Sequence, residues 1–267
     1  NAPLPLKPLL YLDVLKLKYW EQNLWKKATK LVAVSKRDKE IMNKIRKDVV
    51  IVSNGVDINK FKVSRLSGIP QAAGQSSKFK VDGGEKRILF IGEFKWVQNT
   101  DAIQWILTEI WPKLKAELIP SMTGGIKLWV VGRNIPDSIR KLTSDRSVIF
   151  DENAPEETEL IYQKSDILLV PIRVGGGTSF KILEGMASGV PVITTPLGNA
   201  IDAEENSEII IAKTSDDFVQ SIKKLLEDKK FYENVVSNAR KLVEEKFNWK
   251  KISKDLDEAY ESVVSYA

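Results

Sequence analysis

The sequence predicts an α/β protein with a doubly wound parallel sheet, covered by helices on both faces. Two observations support this prediction. Short runs rich in β-branched residues have the length of buried strands, and stretches with apolar residues at helical spacing lie between them. Strands that are joined through helices run in the same direction, so the alternation favours a parallel sheet.

The predicted elements follow one another along the whole chain. Strands are predicted at residues 31–35, 49–53, 87–91, 127–131, 148–150, 166–170, 190–194 and 208–211. Helices are predicted at residues 14–27, 101–118, 156–164, 178–187, 216–226, 231–246 and 250–264. In the second helix, apolar residues at 102, 103, 106, 107, 110, 111 and 114 form one stripe. Trp105 and Trp111 belong to this stripe, so we expect both side chains in the core.

A change of composition indicates how the chain is divided. Residues 64–84 are rich in Gly, Ser, Gln and Lys, which predicts a loop. We therefore expect a main domain at 86–248 and a connecting segment at 49–85. Residues 1–48 are interpreted as a remnant of another domain, and residues 249–267 as a C-terminal helix. Because the chain begins with Asn1 and not Met, we interpret it as a piece of a longer protein.

Composition excludes several kinds of chemistry. The 267 residues include no cysteine and no histidine, which rules out disulfides, thiolate metal sites and histidine general bases. The net charge of +5 is too diffuse to indicate nucleic-acid binding. No signal peptide and no apolar run of bilayer length is visible. Any reaction must use acidic, basic and hydroxyl side chains and backbone amides.

The strongest local motif is a glycine-rich loop between a predicted strand and a predicted helix. Three glycines allow close backbone approach and positive φ, and two hydroxyl residues lie where the helix begins. Free amides at a helix N-terminus favour an anion such as a diphosphate. The residues of this loop are Gly175, Gly176, Gly177, Thr178 and Ser179.

Two charged residues follow on the same helix. Lys181 and Glu184 are three positions apart and therefore share a face. Glu184 lies about 9 Å along the helix from Thr178, which suits a ribose next to a diphosphate at the helix tip. The simpler alternative is a tight turn followed by a surface ion pair. The spacing by itself leaves both interpretations open.

Two more glycines end predicted strands. Ligands of open α/β sheets collect beyond the carboxyl ends of strands, so these positions and the glycine loop are expected at one rim. Nearby cations could supply positive charge to a diphosphate, and Trp96 could contact the ligand from the same rim. The rim residues outside the glycine loop are Gly92, Lys95, Gly132, Arg133 and Arg173.

Residues 28–260 resemble the C-terminal region of retaining GT-B glycosyltransferases of the glycosyl transferase group 1 (GT4-like) family. The segments that carry the resemblance are LVAVS at 31–35, SNGVD at 53–57, IG at 91–92, NTDAIQW at 99–105, VVG at 130–132, DILLVP at 166–171, GGGTSFKILEGMA at 175–187 and GVPVI at 189–193. Their order and spacing together are specific.

The resemblance implies a Rossmann-like domain that binds a nucleotide-diphosphate sugar, preceded by a remnant of the acceptor-binding domain. It places Glu184 on the ribose, and Lys181 and the amides of 176–179 near the diphosphate and sugar. Lys181 and Glu184 are the expected catalytic residues, and Phe150 and residues up to 153 should border the base. The C-terminal helix should cross back toward the first domain. The resemblance implies sugar transfer with retention, with neither metal nor cofactor.

Two positions depart from the family pattern. Many relatives have a glutamate where Gly176 stands, and an arginine is usual in place of Ser179. Donor binding is therefore expected more firmly than catalysis, and we expect these residues alone to transfer sugar poorly or not at all. The alternatives are a nucleotide-sugar 2-epimerase, a non-catalytic nucleotide-binding module and an oxidoreductase. The last lacks the dinucleotide fingerprint.

The expected partners are a UDP-, GDP- or ADP-linked sugar and an unidentified acceptor, which is a saccharide, a lipid or a small molecule. We expect a cytoplasmic protein. The basic residues near the start of the chain favour an ordinary solvated helix face over contact with an anionic inner leaflet. Apolar residues between 9 and 25 and on the last helix make self-association a second expectation. The basic residues are Lys16, Lys18, Lys26, Lys27 and Lys30.

Overall fold

The computed structural model describes residues 7–61, 84–118, 125–155 and 157–264. All but the last residue of the loop predicted at 64–84 falls outside the described residues. The chain forms two compact units, one from Asn1–Ser53 together with Ile252–Ala267, the other from Asn54–Lys251.

The smaller unit contains a short two-stranded parallel sheet. Helix α1 (Lys7–Lys27) is followed by β1 (Leu31–Ala33), α2 (Lys36–Met42) and β2 (Val49–Ile51). Helix α2 was not predicted. Its N-terminus is capped by Ser35, whose hydroxyl oxygen accepts a hydrogen bond from the amide of Asp38 at 3.1 Å.

The larger unit contains a six-stranded sheet in which every pairing is parallel. Its strands are β3 (Lys86–Ile91), β4 (Ile126–Val131), β5 (Val148–Asp151), β6 (Ile167–Val170), β7 (Val192–Thr194) and β8 (Ile210–Ile211). Their spatial order is β5-β4-β3-β6-β7-β8. This is the Rossmann order, which confirms the predicted doubly wound sheet.

Successive side chains along the central strands belong to two separate cores. In β3, Ile88 and Phe90 pack in one cluster, with Trp105 and Trp111, and Leu89 packs in the other. Because neighbouring residues of a strand point to opposite faces, both faces of the sheet are buried under helices. Trp105 and Trp111 are buried as predicted.

Helices connect each pair of consecutive strands from β3 to β7 in the larger unit, and two more follow β8. They are α3 (Val97–Trp105), α4 (Trp111–Leu118), α5 (Asp137–Arg140), α6 (Thr158–Gln163), α7 (Phe180–Ala187), α8 (Ser215–Glu227) and α9 (Lys229–Lys246). A π-helical segment, Ile106–Ile110, joins α3 to α4, and α5 was not predicted. Helix α10 (Trp249–Val264) ends the described chain. In the four described ranges, no helix combines the length and the apolar character that a bilayer crossing requires.

Candidate functional site

The strand order of the sheet changes direction at β3, which is the topological switch point. Strand β4 lies on one side of β3 and β6 on the other, so the loops that follow these strands diverge and leave a crevice. Gly92 follows β3, Gly132 follows β4, and the glycine loop at 175–177 follows β6. The structure thus brings the three predicted glycine positions to one edge of the sheet.

Gly132 allows the ends of β3 and β4 to approach closely, and Gly92 leaves room for a neighbouring side chain. A Cβ atom at Gly132 would lie 1.8 Å from the carbonyl oxygen of Gly92, and the φ of Gly132 is +153°. A Cβ atom at Gly92 would lie 2.7 Å from the Asn99 side chain. Gly132 therefore requires glycine for packing reasons, and a side chain at Gly92 would displace the amide of Asn99.

Two cavities lie in this crevice. The first, here called the main cavity, has a volume of about 690 Å³. It is lined by Ile91, Gly92, Glu93, Val131, Gly132, Arg133, Asp151, Glu152, Ala154, Pro155, Thr158, Ile161, Tyr162, Phe180, Lys181 and Glu184. The second, the loop cavity, measures about 190 Å³. It is lined by Gln98, Asn99, Ile172, Val174, Gly175, Gly176, Gly177, Thr178, Ser179, Phe180, Lys181 and Leu197.

Glu184 lies in the main cavity and is oriented by a buried tyrosine. The hydroxyl of Tyr162 donates a hydrogen bond to one carboxylate oxygen of Glu184 at 2.8 Å. Burial raises the pKa of Glu184, whereas the hydrogen bond from Tyr162 and the charges of Lys60 and Lys181 act to lower it. Burial and the neighbouring carboxylate raise the pKa of Tyr162 well above 10, so the phenol keeps its proton and remains a donor.

Lys181 lines both cavities. Its ammonium donates a hydrogen bond to the side-chain oxygen of Asn99 at 2.7 Å and lies 5.3 Å from the centre of the Phe90 ring. Burial lowers the pKa of Lys181 to about 8, and the charge of Glu184 opposes this shift. The two charged residues predicted to share a helix face thus both line the main cavity.

The glycine loop uses the conformations that only glycine adopts easily. Gly175 has a φ of +112° and Gly177 a φ of +78°. The space around Gly176 is open, with nothing described within 4 Å of an added Cβ atom. The loop leads to Ser179, the residue before α7, which makes no side-chain capping bond to the helix. Amides of the first helical turn lack intrahelical acceptors and can bind an anion.

Three predicted site residues line neither cavity. The guanidinium of Arg173 binds both carboxylate oxygens of Asp101, at 3.0 and 2.8 Å, and lies 4.6 Å from the Trp105 ring centre. Lys95 is exposed, and Phe150 packs against the core. Trp96, expected at the rim, is 61% exposed.

Several residues of the two cavities were not singled out from the sequence as site residues. Asn99 contacts Lys181 from 82 positions away, and Tyr162 contacts Glu184 from 22 positions away. Phe180, which is half exposed, lines both cavities. A local sequence pattern cannot predict these contacts, because the residues come together only when the chain folds. Within the described residues, no three acidic side chains form a group that could hold a metal ion.

The fold and the crevice at its switch point define a Rossmann-like α/β protein, a class whose ligands bind where this crevice lies. The model of the family described as glycosyl transferases group 1 matches residues 85–228, more than half of the chain. The chain therefore belongs to the glycosyl transferases group 1 family.

Individual proteins are similar to this chain in sequence or in fold. The chain is 26% identical over 238 residues to an uncharacterized glycosyltransferase of Methanocaldococcus jannaschii, MJ1607, covering 86% of this chain and 59% of that protein. It resembles the structure of sucrose-phosphate synthase from Thermosynechococcus elongatus, with a TM-score of 0.71, 16% identity and coverage of 92% and 61%. It also resembles Anabaena Alr3699/HepE in complex with UDP and glucose, with a TM-score of 0.67, 17% identity and coverage of 88% and 64%. The chain thus spans about three fifths of these proteins.

Proposed function

We propose that residues 86–248 form the donor-binding domain of a retaining, GT4-like glycosyltransferase, and that the main cavity and the loop cavity hold a nucleotide-diphosphate sugar. The observation that carries this proposal is the placement of Glu184 and Lys181 in one crevice at the switch point, next to the glycine loop. The complex of Anabaena Alr3699/HepE with UDP supports UDP as the first nucleotide to test.

Each part of the site suits one part of the donor. The Glu184 carboxylate can accept hydrogen bonds from two vicinal ribose hydroxyls, because Tyr162 occupies only one of its oxygens. Lys181 can offset the charge of the diphosphate, and the amides of 176–179 can donate hydrogen bonds to it. Since negative charge grows on the diphosphate as the sugar departs, the same groups would stabilise the transition state.

In this scheme the protein supplies no nucleophile. The acceptor hydroxyl is expected to attack the sugar on the face that the diphosphate leaves and to pass its proton to the departing diphosphate, which retains the anomeric configuration. The acceptor and the transfer reaction belong to the whole protein. The stereochemistry of its product, read by proton NMR from the anomeric coupling constant, tests retention.

Calorimetric titration with UDP and with 2′-deoxy-UDP tests the donor site. In the parent protein, loss of the 2′-hydroxyl should weaken binding about tenfold, because a hydrogen bond to a charged acceptor is lost. Glu184→Gln should weaken UDP binding about tenfold, and the variant should bind the two nucleotides almost equally. Glu227→Gln, an exposed position at the end of α8, is the matched control.

The pattern of affinities separates the alternatives. A preference for UDP that survives unchanged in Glu184→Gln would remove Glu184 from the ribose. Intact UDP binding without transfer by the whole protein would favour a non-catalytic nucleotide-binding module, and interconversion of the donor without an acceptor would favour an epimerase. Parallel titrations with GDP and ADP identify the base.

Association with a membrane or with a second copy of the chain is a separate proposal. Helix α1 exposes large apolar side chains, among them Tyr11, Leu17 and Trp20, beside Lys16 and Lys18. Sedimentation with and without vesicles that contain phosphatidylglycerol tests both associations. A protein that stays monomeric and does not sediment with the vesicles would contradict them.

A further inference from the structure

We propose that Asn99 is a positioning residue, which fixes the ammonium of Lys181 at the boundary between the main cavity and the loop cavity. This inference rests on the proposed function, in which that boundary holds the donor diphosphate. Asn99 lies at the start of α3, between β3 and β4, whereas Lys181 lies between β6 and β7. The Asn99 side chain is buried, with 8% of the residue exposed.

The hydrogen bonds of Asn99 determine the orientation of its amide. The side-chain nitrogen donates to the backbone carbonyl of Glu93 at 2.8 Å, and the side-chain oxygen accepts from Lys181 at 2.7 Å. A carbonyl can only accept and an ammonium can only donate, so a flipped amide would lose both bonds. The carbonyl of Glu93 therefore turns the oxygen of Asn99 toward Lys181.

Gly92 makes room for this arrangement. A Cβ atom at Gly92 would lie 2.7–2.8 Å from all three polar-end atoms of the Asn99 side chain. Such contacts are too short, so any larger residue would displace the amide from Lys181. The lack of a side chain at Gly92 therefore lets the Asn99 amide reach Lys181.

A neutral acceptor suits the proposed task of Lys181. An ammonium has three N–H donors, and one of them is used by Asn99, which leaves two for phosphate oxygens. An amide oxygen favours the charged form of the lysine without cancelling its charge. A carboxylate at position 99 would neutralise the cation and repel the diphosphate.

Other charged groups face the main cavity together with Lys181. Glu184 lies on the same helix, and across the main cavity are Glu93, Arg133, Asp151 and Glu152. Their influence is common to the parent protein and to any variant at position 99. A change in the pKa of Lys181 that follows a substitution at position 99 therefore reports on the side chain at that position.

Competitive labelling with acetic anhydride, read by peptide mass spectrometry across a pH series, measures the pKa of Lys181 without nucleotide. Asn99→Asp should raise this pKa by about one unit or more, because an opposite charge replaces the amide. Asn99→Ala should lower it, because the acceptor is lost. Gly92→Ala should also lower the pKa of Lys181, because it displaces the amide although the residue at position 99 is still asparagine. Asn238→Asp, an exposed position on α9, controls for the added charge.

Titration with UDP then links the position of the ammonium to binding. Asn99→Asp, which preserves the shape of the side chain, should weaken binding at pH 7 about tenfold or more. If UDP does not bind the parent protein, the proposed function fails while the labelling still tests the contact. Identical labelling profiles of Lys181 in Asn99→Asp and Asn238→Asp, both folded by circular dichroism, would overturn the role of Asn99.

Discussion

Burial of the Lys181 ammonium lowers the stability of the folded state. Its pKa falls from 10.5 to about 8 on folding, so the unfolded chain binds this proton more tightly. By linkage, the contribution of Lys181 to stability is least favourable below pH 8 and improves as the pH rises from 8 to 10.5. A group that destabilises the fold at neutral pH is typical of a functional site.

Lys181→Met should therefore stabilise the protein at pH 7. We expect a gain of about 1 kcal/mol in the free energy of unfolding, because relief of desolvation exceeds the lost hydrogen bond to Asn99. Urea titrations at pH 7 and pH 10 measure this difference, which should shrink at the higher pH. Lys246→Met, at an exposed position, should show no such trend. A variant less stable than the parent at pH 7 would contradict the interpretation.

For individual residues, the sequence predicts only contacts between positions that are close along the chain. Lys181 and Glu184 were found because their spacing places them on one helix face, a property of any α-helix. Tyr162 and Asn99 were missed as site residues because their contacts depend on how α6, α7 and α3 pack around the sheet. The cation expected from Arg173 is paired with Asp101, a partner 72 positions away.

The ends of β3 and β4 depend on the glycines that follow them. An added Cβ atom at Gly132 would overlap the carbonyl oxygen of Gly92, and the positive φ of Gly132 adds backbone strain. Gly132→Ala should lower the free energy of unfolding by about 3 kcal/mol or more, because backbone has to move.

Gly176→Ala is the matched comparison for this prediction. The position is open, and its φ is not among the positive values, so the change in stability should stay within about 0.5 kcal/mol. Urea denaturation of both variants measures the contrast. Similar stability of the two variants would show that the strand ends can separate without cost.

Strands and long helices were predictable because each has a strong hydrophobic period. All eight predicted strands are present, most of them a residue or two shorter than predicted. Helices α2 and α5 were missed because seven and four residues are too few to show a helical period. The predicted helix at 101–118 begins earlier, at Val97, because its first residues are mostly polar and show no apolar periodicity. It also contains the π-helical segment, which was not predicted.

For the whole molecule, the order of the strands decides where a ligand can bind. The pattern of strands and helices predicted a parallel sheet, but the crevice exists because β4 and β6 flank β3 on opposite sides. The resemblance predicts which residues form the donor site, and the fold brings most of these distant positions to one crevice. The chain spans about three fifths of its relatives, so the acceptor and the transfer reaction remain proposals for the whole protein.

A crystal structure with UDP bound tests the donor site most directly. We predict that the ribose hydroxyls lie within hydrogen-bonding distance of Glu184, that the diphosphate contacts Lys181 and the amides of 176–179, and that the base lies near the end of β5. Density for UDP outside this crevice, or a ribose that makes no contact with Glu184, would contradict the proposed function.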